Sequence, residues 1–524
     1  MTARTLTIGG TSYPLVLPNI RDPRLHVAAI IITIHVLGQV GLGFRVTVPQ
    51  ILAAILTCFV IEVALTFRQS RAFVWPASAM LTGSGVALIL RVVGTPAHEP
   101  WNTYAWQWFA AIAGLSLLTK YVIRYRGNHV FNPSNIGLVA AFVVLGSERV
   151  EPLDFWWAPL NVWMITAYAV IIVGGILVTR RLSLLGLAGA FWITLALGLG
   201  LLAASGHCMT ANWAFAPVCG FDFWRVVVTS PEVLIFLFFM ITDPKTVPAG
   251  RVGRIAFGAL VAVASVLLLA PQTDEWGTKV GLLAGLVVLS AARPLLERLV
   301  PKASSEEDRV APLASRLAGG PGWRRVARLG VAALAVLAIG GTIVAAGAPA
   351  RGPTLANSGE LLNGLPTNVD PATLPAVTVG ADVVDFDHEL AGQGMNEVLV
   401  TLARNLELEN QALLERDGEI LVAVDHGDRL VEMQERLETA SASGTTILTH
   451  YEFDTIDASL LVPFGAQTGL SLGLAGRGTM TTETRDADGA VIDTESAPFD
   501  LTFAMRRATG DRWMNVAVLP RDGS

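Results

Sequence analysis

Residues 128–139, NHVFNPSNIGLV, place polar side chains where a cationic segment meets a long apolar run. Asn132 followed by Pro133 is typical of a helix start, because the Asn side chain accepts from a free backbone amide and proline needs no partner for its missing N–H. Ser134 and Asn135 add polar groups that a helix cap does not require. A helix N-terminus near cations also suits an anion or the polar edge of a ring cofactor. Both interpretations, helix start and ligand site, stay open.

A second polar element ends another apolar run, in the sequence ITDPKTVP. Asp243 precedes Pro244, and a residue before proline leaves helical geometry, so the helix should end there. A carboxylate at a helix C-terminus is electrostatically disfavoured, which means that Asp243 needs a donor or a cation. Lys245 is a candidate for that role, and Thr242 is the last polar residue inside the helix.

A third polar element lies within the apolar sequence WPASAMLTGSGVALIL, which carries Thr82 and Ser84. Gly83, Ser84 and Gly85 are predicted to interrupt the helix that this sequence forms. A broken helix exposes backbone donors and acceptors at membrane depth, where something must use them. A kinked helix tolerated by packing is the alternative.

The composition indicates a polytopic membrane protein. Of 524 residues, 52% are hydrophobic and only 15% are charged, and the mean hydropathy is +0.53. Apolar runs of about 20 residues match the thickness of a bilayer core. Eleven spans are predicted, at about 25–43, 47–66, 74–95, 102–123, 132–147, 160–178, 183–204, 228–242, 253–271, 276–292 and 328–348.

The positive charges of the connections predict the orientation. Alternate connections carry about 21 Lys and Arg against about 5, where the smaller set contains Arg45, Arg91, Arg149, Arg225 and Lys279. Short cationic loops are retained in the cytoplasm. The N-terminus is therefore expected in the cytoplasm of a multi-pass cell-membrane protein, and everything after the eleventh span outside.

The ten spans before residue 296 form two sets of five, so the second set must run opposite to the first, as in inverted-repeat proteins. The third member of each set is irregular, which points to a site near the axis between the halves. All three polar elements face the cytoplasmic side in this topology. The sequence thus predicts one cytoplasm-facing site that comprises Thr82, Ser84, Asn132, Ser134, Asn135, Thr242, Asp243 and Lys245, and it predicts no metal there.

The C-terminal tail, 355–524, is predicted to be a separate extracytoplasmic α+β domain. From Arg351 onward the chain holds 28 of the 43 acidic residues and 11 of the 37 basic ones. This balance argues against nucleic acid as a partner. Helical periodicity over 395–416 is followed by three alternating stretches from 445 onward, which suggest a curved antiparallel sheet like that of the nuclear-transport-factor fold. His388 among acidic neighbours could bind a cation, although a solvated acidic loop fits better.

Three cysteines are present. Cys208 and Cys219 lie in one loop that is predicted to be external, where the compartment is oxidising, so a disulfide between them is the leading interpretation. A metal site of His207 with both thiolates is the alternative, but it lacks a fourth evident ligand. Cys58 lies inside an apolar span and is expected to be a small core residue.

The elements LTKYVIRYRGNHVFNPSNIGLV, SAMLTGSGVALIL and FLFFMITDPKTVP, in this order and spacing, resemble the NqrB and RnfD family of membrane subunits of Nqr and Rnf electron-transport complexes. The likeness covers roughly residues 25 to 295. Its closest form resembles the UnbU-type membrane proteins associated with enediyne biosynthesis, especially in RDPRLHVAAIIITIHVLGQ and SPEVLIFLFFMITDPKTVP.

The resemblance implies flavin-based electron transfer coupled to sodium or proton movement. It implies non-covalent riboflavin or FMN on the cytoplasmic side. The family's covalent FMN is attached to a threonine in the external loop after the fifth span, and the corresponding loop here, GSERVEPLDFWWAPLN, contains no threonine. Covalent FMN is therefore not expected.

The sequence divides the chain into an N-terminal cytoplasmic segment 1–24, a ten-span NqrB/RnfD-like domain 25–295, a cytoplasmic linker 296–327, an eleventh span 328–348 and the outer domain. No catalytic constellation stands out. One hypothesis is a subunit of an Nqr/Rnf-like electron-transport system with a bound flavin and ion coupling. The other is a redox-inactive transport or scaffold protein that recruits an extracytoplasmic partner. Other membrane subunits and lipid are the remaining expected partners.

Overall fold

The computed structural model describes residues 4–8, 10–96, 99–152, 161–211, 213–303, 305, 308–309, 322–351, 362, 365, 369–461, 470–507 and 512–521. The chain forms two compact units. The first unit comprises Met1–Met209, Cys219–Arg351 and Phe464–Ala466, and the second comprises Thr210–Val218, Gly352–Pro463 and Gln467–Ser524. Outside the described residues lie residues 153–160 of the predicted external loop, residues 304, 306–307 and 310–321 of the linker, and residues 355–361.

Helices make up nearly all of the first unit. Its first half contains α1 (Pro23–Val40), α2 (Val48–Ser70), α3 (Ala77–Ile89), α4 (Trp106–Val122) and α5 (Pro133–Leu145). Its second half contains α6 (Val162–Arg181), α7 (Leu185–Ala204), α8 (Gly220–Thr229), α9 (Pro231–Ile235), α10 (Arg251–Leu269) and α11 (Glu275–Leu299). A π-helix, Phe236–Met240, continues α9 directly, and α12 (Gly322–Ala346) follows the linker.

Eight helical segments in the described part of the chain are long and apolar enough to cross a membrane. They correspond to eight of the predicted spans, with Gly220–Met240 (α8, α9 and the π-helix together) as one of them. The helices at the predicted third, fourth and fifth spans are shorter, with 13, 17 and 13 residues. The first unit is thus a helical membrane body with several short helices in its first half.

The predicted interruption at Gly83 to Gly85 is wrong, because α3 runs through these residues without a break. A Cβ atom at Gly83 would lie 2.5 Å from the backbone oxygen of Ala54 on α2. Small residues let membrane helices approach closely. These glycines therefore serve packing, and α3 is short because its chain turns into a strand at Leu90.

The eighth predicted span also differs from the expectation. The helical segment begins at Gly220, earlier than predicted, and its break lies between α8 and α9. Ser230 is extended there, with φ −61° and ψ 147°, and its side chain caps α9 by accepting from the amide of Val233 at 3.2 Å. Pro231 occupies the first helical position, where its missing N–H costs nothing. The break is a capped restart of the helix.

Short strands pair into small sheets at the N-terminus and between the helices. Strands β1 (Arg4–Ile8) and β2 (Thr11–Val16) form an N-terminal hairpin, and β3 (Phe73–Val74) pairs with β2. Strand β4 (Leu90–Val92) later pairs with β7 (Val150–Pro152), while β5 (Arg124–Tyr125) pairs with β6 (Asn128–His129). Strands β8 (Cys208–Met209) and β9 (Val218–Cys219) form the last two-stranded sheet.

The two halves of the first unit share three helix contacts. In the first half α2 packs on α3 and α4, and α4 packs on α5; in the second half α7 packs on α8 and α10, and α10 packs on α11. A Cβ atom at Gly137 of α5 would lie 1.6 Å from Oγ of Ser116 on α4. In the second half, a Cβ atom at Gly285 of α11 would lie 2.1 Å from Oγ of Ser265 on α10. Each half therefore uses one glycine against one serine at its final helix pair.

The second unit combines helices with one long sheet. Its helices are α13 (Ala381–Phe386), α14 (Gln393–Glu415), α15 (Gly418–Val424) and α16 (Gly427–Ser443). Its strands are β10 (Val377–Val379), β11 (Thr446–Leu461), β12 (Ser471–Arg485), β13 (Val491–Arg507) and β14 (Trp513–Pro520), paired in this order. Strand β10 is parallel to β11 and all other pairs are antiparallel. The predicted helix at 395–416 corresponds to α14.

The segment Thr210–Val218 lies between two helices of the membrane body in the sequence but belongs to the second unit. Phe215 is buried in the core of that unit, with its ring centroid 4.9 Å from that of Phe386 and 5.3 Å from that of Trp513. Cys208 and Cys219 flank the segment and are joined by a disulfide. The structure thus forms the bond that the sequence favoured, around a loop whose role the sequence did not indicate.

Candidate functional site

The start of α5 is built as the residue types predict. Asn132 is extended and its Oδ1 accepts from the amide of Asn135 at 3.3 Å, while Pro133 is the first helical residue. The hydroxyl of Ser134 donates to the same Oδ1 at 2.8 Å. All three polar side chains are buried. The cap accounts for Oδ1 of Asn132 and gives the Ser134 hydroxyl a partner. The side-chain NH₂ groups of Asn132 and Asn135 need acceptors outside the cap.

Those amides bind backbone carbonyls of the second half. Nδ2 of Asn132 donates to the carbonyl of Met240, the last residue of the π-helix, at 3.2 Å. Nδ2 of Asn135 donates to the carbonyl of Leu283 on α11 at 3.1 Å. A π-helix leaves its terminal carbonyls without the usual helical partners, so a side-chain donor is needed. The α5 start therefore ties the two halves together.

The residues after the π-helix complete this contact. Nε2 of His129 lies 3.0 Å from Oδ2 of Asp243, and Oδ1 of Asp243 accepts from the amide of Lys245 at 3.0 Å. Nη1 of Arg293 on α11 donates to the carbonyl of Lys245 at 2.8 Å. The donor that Asp243 needs is thus His129 together with a backbone amide, and the exposed Lys245 side chain was the wrong candidate for it.

The remaining predicted site residues lie beside this contact. Nε2 of His35 on α1 lies 3.3 Å from Oγ of Ser84 and 3.4 Å from its carbonyl. The hydroxyls of Thr82 and Thr242 donate to carbonyls within their own helices, those of Ser78 and Phe238. A Cβ atom at Gly85 would lie 3.2 Å from Oγ of Ser134, which places α3 against the start of α5.

The structure therefore brings Asn132, Ser134, Asn135 and Asp243 into one contact between the two halves, which we call the polar junction. Its groups bond to one another and to backbone carbonyls. Thr82 and Ser84 are near it on α3 but bond to other partners. The junction can fix the halves in one arrangement, because its amides and hydroxyl are neutral and its one carboxylate, Asp243, is bonded to His129 and to a backbone amide.

A second polar region was missed by the sequence reasoning. Arg91 on β4 lies 3.1 Å from Glu151 on β7, measured from Nη1 to Oε1. Nζ of Lys279 on α11 lies 2.7 Å from Oε1 of Glu275 and 3.9 Å from Oε1 of Glu232 on α9. We call these five residues the ionic cluster. Four of them are buried and Glu232 is nearly so.

Counting Arg91 and Lys279 as loop cations was wrong, since only 6% and 3% of their surfaces are exposed. The sequence positions of their carboxylate partners could have indicated that these cations are buried. Glu275 and Lys279 are spaced i, i+4 at the start of α11, and Glu232 directly follows the proline that restarts a broken helix. Ionisable residues within membrane segments are rare unless they face the interior of the protein.

The ionic cluster borders a cavity of about 30 Å³. Glu232 and Lys279 line it directly, as do Ile89 and Pro152 beside the other ion pair. Nε1 of Trp276 on α11 donates to the carbonyl of Val150 on β7 at 3.2 Å and holds the two pairs in this arrangement. Residues of both halves therefore meet at a charged cavity, at the opposite end of α9 and its π-helix from the polar junction.

The described residues contain no group of three or more His, Cys, Asp or Glu side chains placed to hold a metal ion. His207 packs on the ring of Phe223 with centroids 4.4 Å apart, and burial lowers its pKa to about 4. Its neighbour Cys208 is engaged in the disulfide, so the alternative of a metal site at these three residues is wrong.

No protein-family model matches the chain, and a search of curated proteins gives no match either. The resemblance to the NqrB and RnfD family therefore stays a prediction that rests on the three sequence elements quoted above. Two of those elements, with Asn132 and Asp243, meet in the polar junction.

Proposed function

We propose that this protein is a multi-pass membrane transporter of inverted-repeat architecture that moves a proton or a small cation, with the ionic cluster as its coupling site. The cluster carries the proposal. Burying charges in a membrane body is costly, and such residues usually mark ion or proton pathways. Both halves contribute to the cluster, it borders a cavity, and it lies at the restart of a broken helix, where transporters of this architecture place their sites.

The inverted repeat is supported by the matched helix contacts of the two halves. The glycine and serine pairs at Gly137 and Gly285 occupy corresponding positions in α5 and α11. Asn135 precedes the first glycine by two residues, Leu283 precedes the second by two, and these residues bond to each other. Such a contact between corresponding positions is expected beside an axis that relates the halves.

The proposed orientation keeps the N-terminus in the cytoplasm and the second unit outside. Removing the buried Arg91, Lys279 and Arg293 from the loop count changes the bias to about 20 against 3. Because Thr210–Val218 belongs to the second unit, the connection between α7 and α8 and the chain after α12 must lie on one side of a membrane. The predicted topology has four crossings between these points and so satisfies this condition.

Cysteine labelling of intact cells tests the orientation. With a membrane-impermeant maleimide, Gly489→Cys should be labelled and Ser305→Cys should be protected until the cells are opened. Labelling of the Ser305 variant alone in intact cells would reverse the topology.

Proteoliposomes test the transport proposal. The purified chain is reconstituted with an internal pH dye or sodium dye, and a gradient of either ion is imposed. Wild type should dissipate one gradient faster than empty vesicles, and Glu232→Gln should abolish the difference. Glu148→Gln, at an exposed carboxylate of the chain between α5 and β7, is the matched control and should behave as wild type. Vesicles with wild-type protein that are as tight as empty ones to both ions would refute the proposal.

A flavin-bearing subunit of an electron-transport system is the second candidate, because the two motifs that resemble the NqrB and RnfD family meet in the polar junction. A non-covalent riboflavin or FMN would require the junction to open, since its polar groups now bond to one another. The visible spectrum of the purified protein separates the candidates. Flavin bands that bleach on reduction, and that are lost in Asn132→Leu, would support the second candidate over the first.

The second candidate implies particular partners. Electron-transport subunits of the family act beside other membrane subunits, and the acidic outer unit suits an extracytoplasmic partner. Copurification from crosslinked membranes, with and without the second unit, tests for both.

A further inference from the structure

A cavity of about 180 Å³ lies within the second unit, between α14, the first part of β11 and the residues around the short 3₁₀ turn Pro371–Thr373. We propose that this cavity, which we call the edge cavity, binds a small organic cation with an apolar body. The proposal is independent of ion transport by the membrane body. It rests on the shape, the backbone groups and the charge of the cavity, taken in turn.

The shape follows from how β10 joins the sheet. Strand β10 pairs with only Ile456–Ala458 of β11, so no described strand covers the preceding part of that edge. The chain before β10 and the helix α14 stand beside the open edge and leave the cavity between them. A cavity of about 150 Å³ holds a benzene ring, so this one accommodates an aromatic ring with the start of a short substituent.

Backbone groups of the open edge are available inside the cavity. The side chain of Asn410 on α14 accepts from the amide of Thr449 at 3.0 Å and donates to its carbonyl at 2.8 Å. Antiparallel strands direct alternate residues toward the same neighbour, so the amide and carbonyl of Tyr451 point to this edge as well. Asn410 thus covers one position, and the next faces the cavity.

The charge of the lining favours a cation. Asp370 and Glu407 contribute carboxylates, and His450 is the third ionisable group that faces the space. Nδ1 of His450 lies 3.9 Å from Oε2 of Glu407, beyond hydrogen-bond distance, and about a third of the Glu407 side chain is exposed. None of the described lining residues is Lys or Arg. An ammonium or guanidinium group is attracted by such a site, whereas a carboxylate is repelled.

Apolar side chains form the smaller part of the lining. Leu374, Leu406 and Phe453 contribute to it, and the ring of Phe453 is stacked against that of Tyr451 with centroids 6.3 Å apart. Ligand pockets commonly combine apolar walls with a few polar groups that fix orientation. An amine with an aromatic or branched apolar body fits both the acidic and the apolar residues of the lining.

A charge series of similar molecules tests the proposal. Tyramine carries an ammonium group on a phenol ring, and 3-(4-hydroxyphenyl)propionate carries a carboxylate in a similar position. Binding of each to the full chain in nanodiscs is measured by saturation-transfer NMR with competition. Tyramine should bind saturably, and the propionate should bind about twofold to fivefold more weakly, as expected for one partly exposed charge contact.

Variants locate the binding. Glu407→Gln should weaken tyramine binding by the same factor, and Ala403→Phe, which fills the space, should abolish it. Glu435→Gln, at an exposed carboxylate on α16, is the matched control and should change nothing. Thermal unfolding of each variant verifies that it is folded. Equal binding of both probes, absence of saturable tyramine binding, or equal effects of the Glu407 and Glu435 changes would each overturn the proposal, and none of these outcomes bears on ion transport.

Discussion

The polar junction and the ionic cluster lie at opposite ends of α9 and the π-helix that continues it, but they are built from different chemistry. The junction uses two side-chain amides that bond to backbone carbonyls, a serine hydroxyl that bonds to Asn132, and one His and Asp pair. The cluster uses five ionisable side chains, of which Glu232 and Lys279 line a cavity. Neutral groups with complete hydrogen bonds hold one arrangement, whereas buried ion pairs change their energy with each proton or cation that binds. Under the proposed function, the junction fixes the arrangement of the two halves and the cluster couples the movement of an ion.

Lys279→Met should have the largest effect, because it leaves Glu275 and Glu232 without their shared cation. Breaking a buried ion pair costs about 3–5 kcal/mol. Both thermal stability and gradient dissipation in proteoliposomes should fall steeply. Lys302→Met, at an exposed lysine, is the control. The double variant Lys279→Met/Glu275→Gln should recover part of the stability. If Lys279→Met is as stable as the control, the ionic cluster does not contain a stabilising buried ion pair, and its contrast with the polar junction fails.

Gly137→Ala and Gly285→Ala test whether the halves that support both regions are equivalent. Each adds a Cβ atom within 2.1 Å of a serine on the next helix, and overpacking of this kind costs about 1–3 kcal/mol. The losses in thermal stability should be similar. Ser116→Gly should restore most of the loss in the first variant, because the contact there is with the serine side chain. Ser265→Gly should restore less of the second, since a Cβ atom at Gly285 also lies 2.6 Å from the backbone nitrogen of Ser265. Gly189→Ala, with open space around it, should not destabilise the protein. Strongly unequal losses would break the proposed equivalence.

Asn132→Leu should have a smaller effect than the loss of the cluster lysine. It removes the cap of α5 and the bond to Met240, which together should cost about 1–2 kcal/mol. Asn132→Ser keeps a capping oxygen, so its loss of thermal stability should be smaller than that of Asn132→Leu. Transport per folded molecule should be unchanged. A transport defect without loss of stability would give the junction a coupling role.

Asp425→Asn should have the smallest effect, and it shows how a buried carboxyl group behaves without a matched cation. Burial, and then the negative charge of Glu409, raise the pKa of Asp425 well above its usual range. A folded-state pKa above the unfolded value means that stability is lost as the pH rises from the unfolded pKa through the folded one. At neutral pH the variant should therefore melt higher, by about 2–4 °C, and the gain should vanish near pH 4. Asp428→Asn, at an exposed position, should show no gain.

Most helices and strands could be predicted because their signals are local. Apolar runs located the helices of the membrane body except α8, and the cap at Asn132 located the start of α5 within one residue. Burial of Arg91 and Lys279 could not be predicted, since it depends on carboxylates that are distant in sequence. The partner of Asp243 is His129, 114 residues away, whereas sequence reasoning considered only its neighbours. Gly83 shows the same limit, because only the approach of α2 explains it.

The loop Thr210–Val218 imposes an order on how the protein is made. Phe215 completes a core that also contains Trp513, so synthesis must proceed 298 residues further, from 215 to 513, before that ring can be covered. Until then the loop has left the ribosome without its final partners, and chains exposed in this way are prone to misassembly. Cys208 and Cys219 leave the ribosome close together in time. Their disulfide can therefore form early and keep the loop compact until the rest of the second unit has been synthesised. A truncated chain that ends before β14 would therefore expose the ring of Phe215, because the ring of Trp513 that packs against it would be missing.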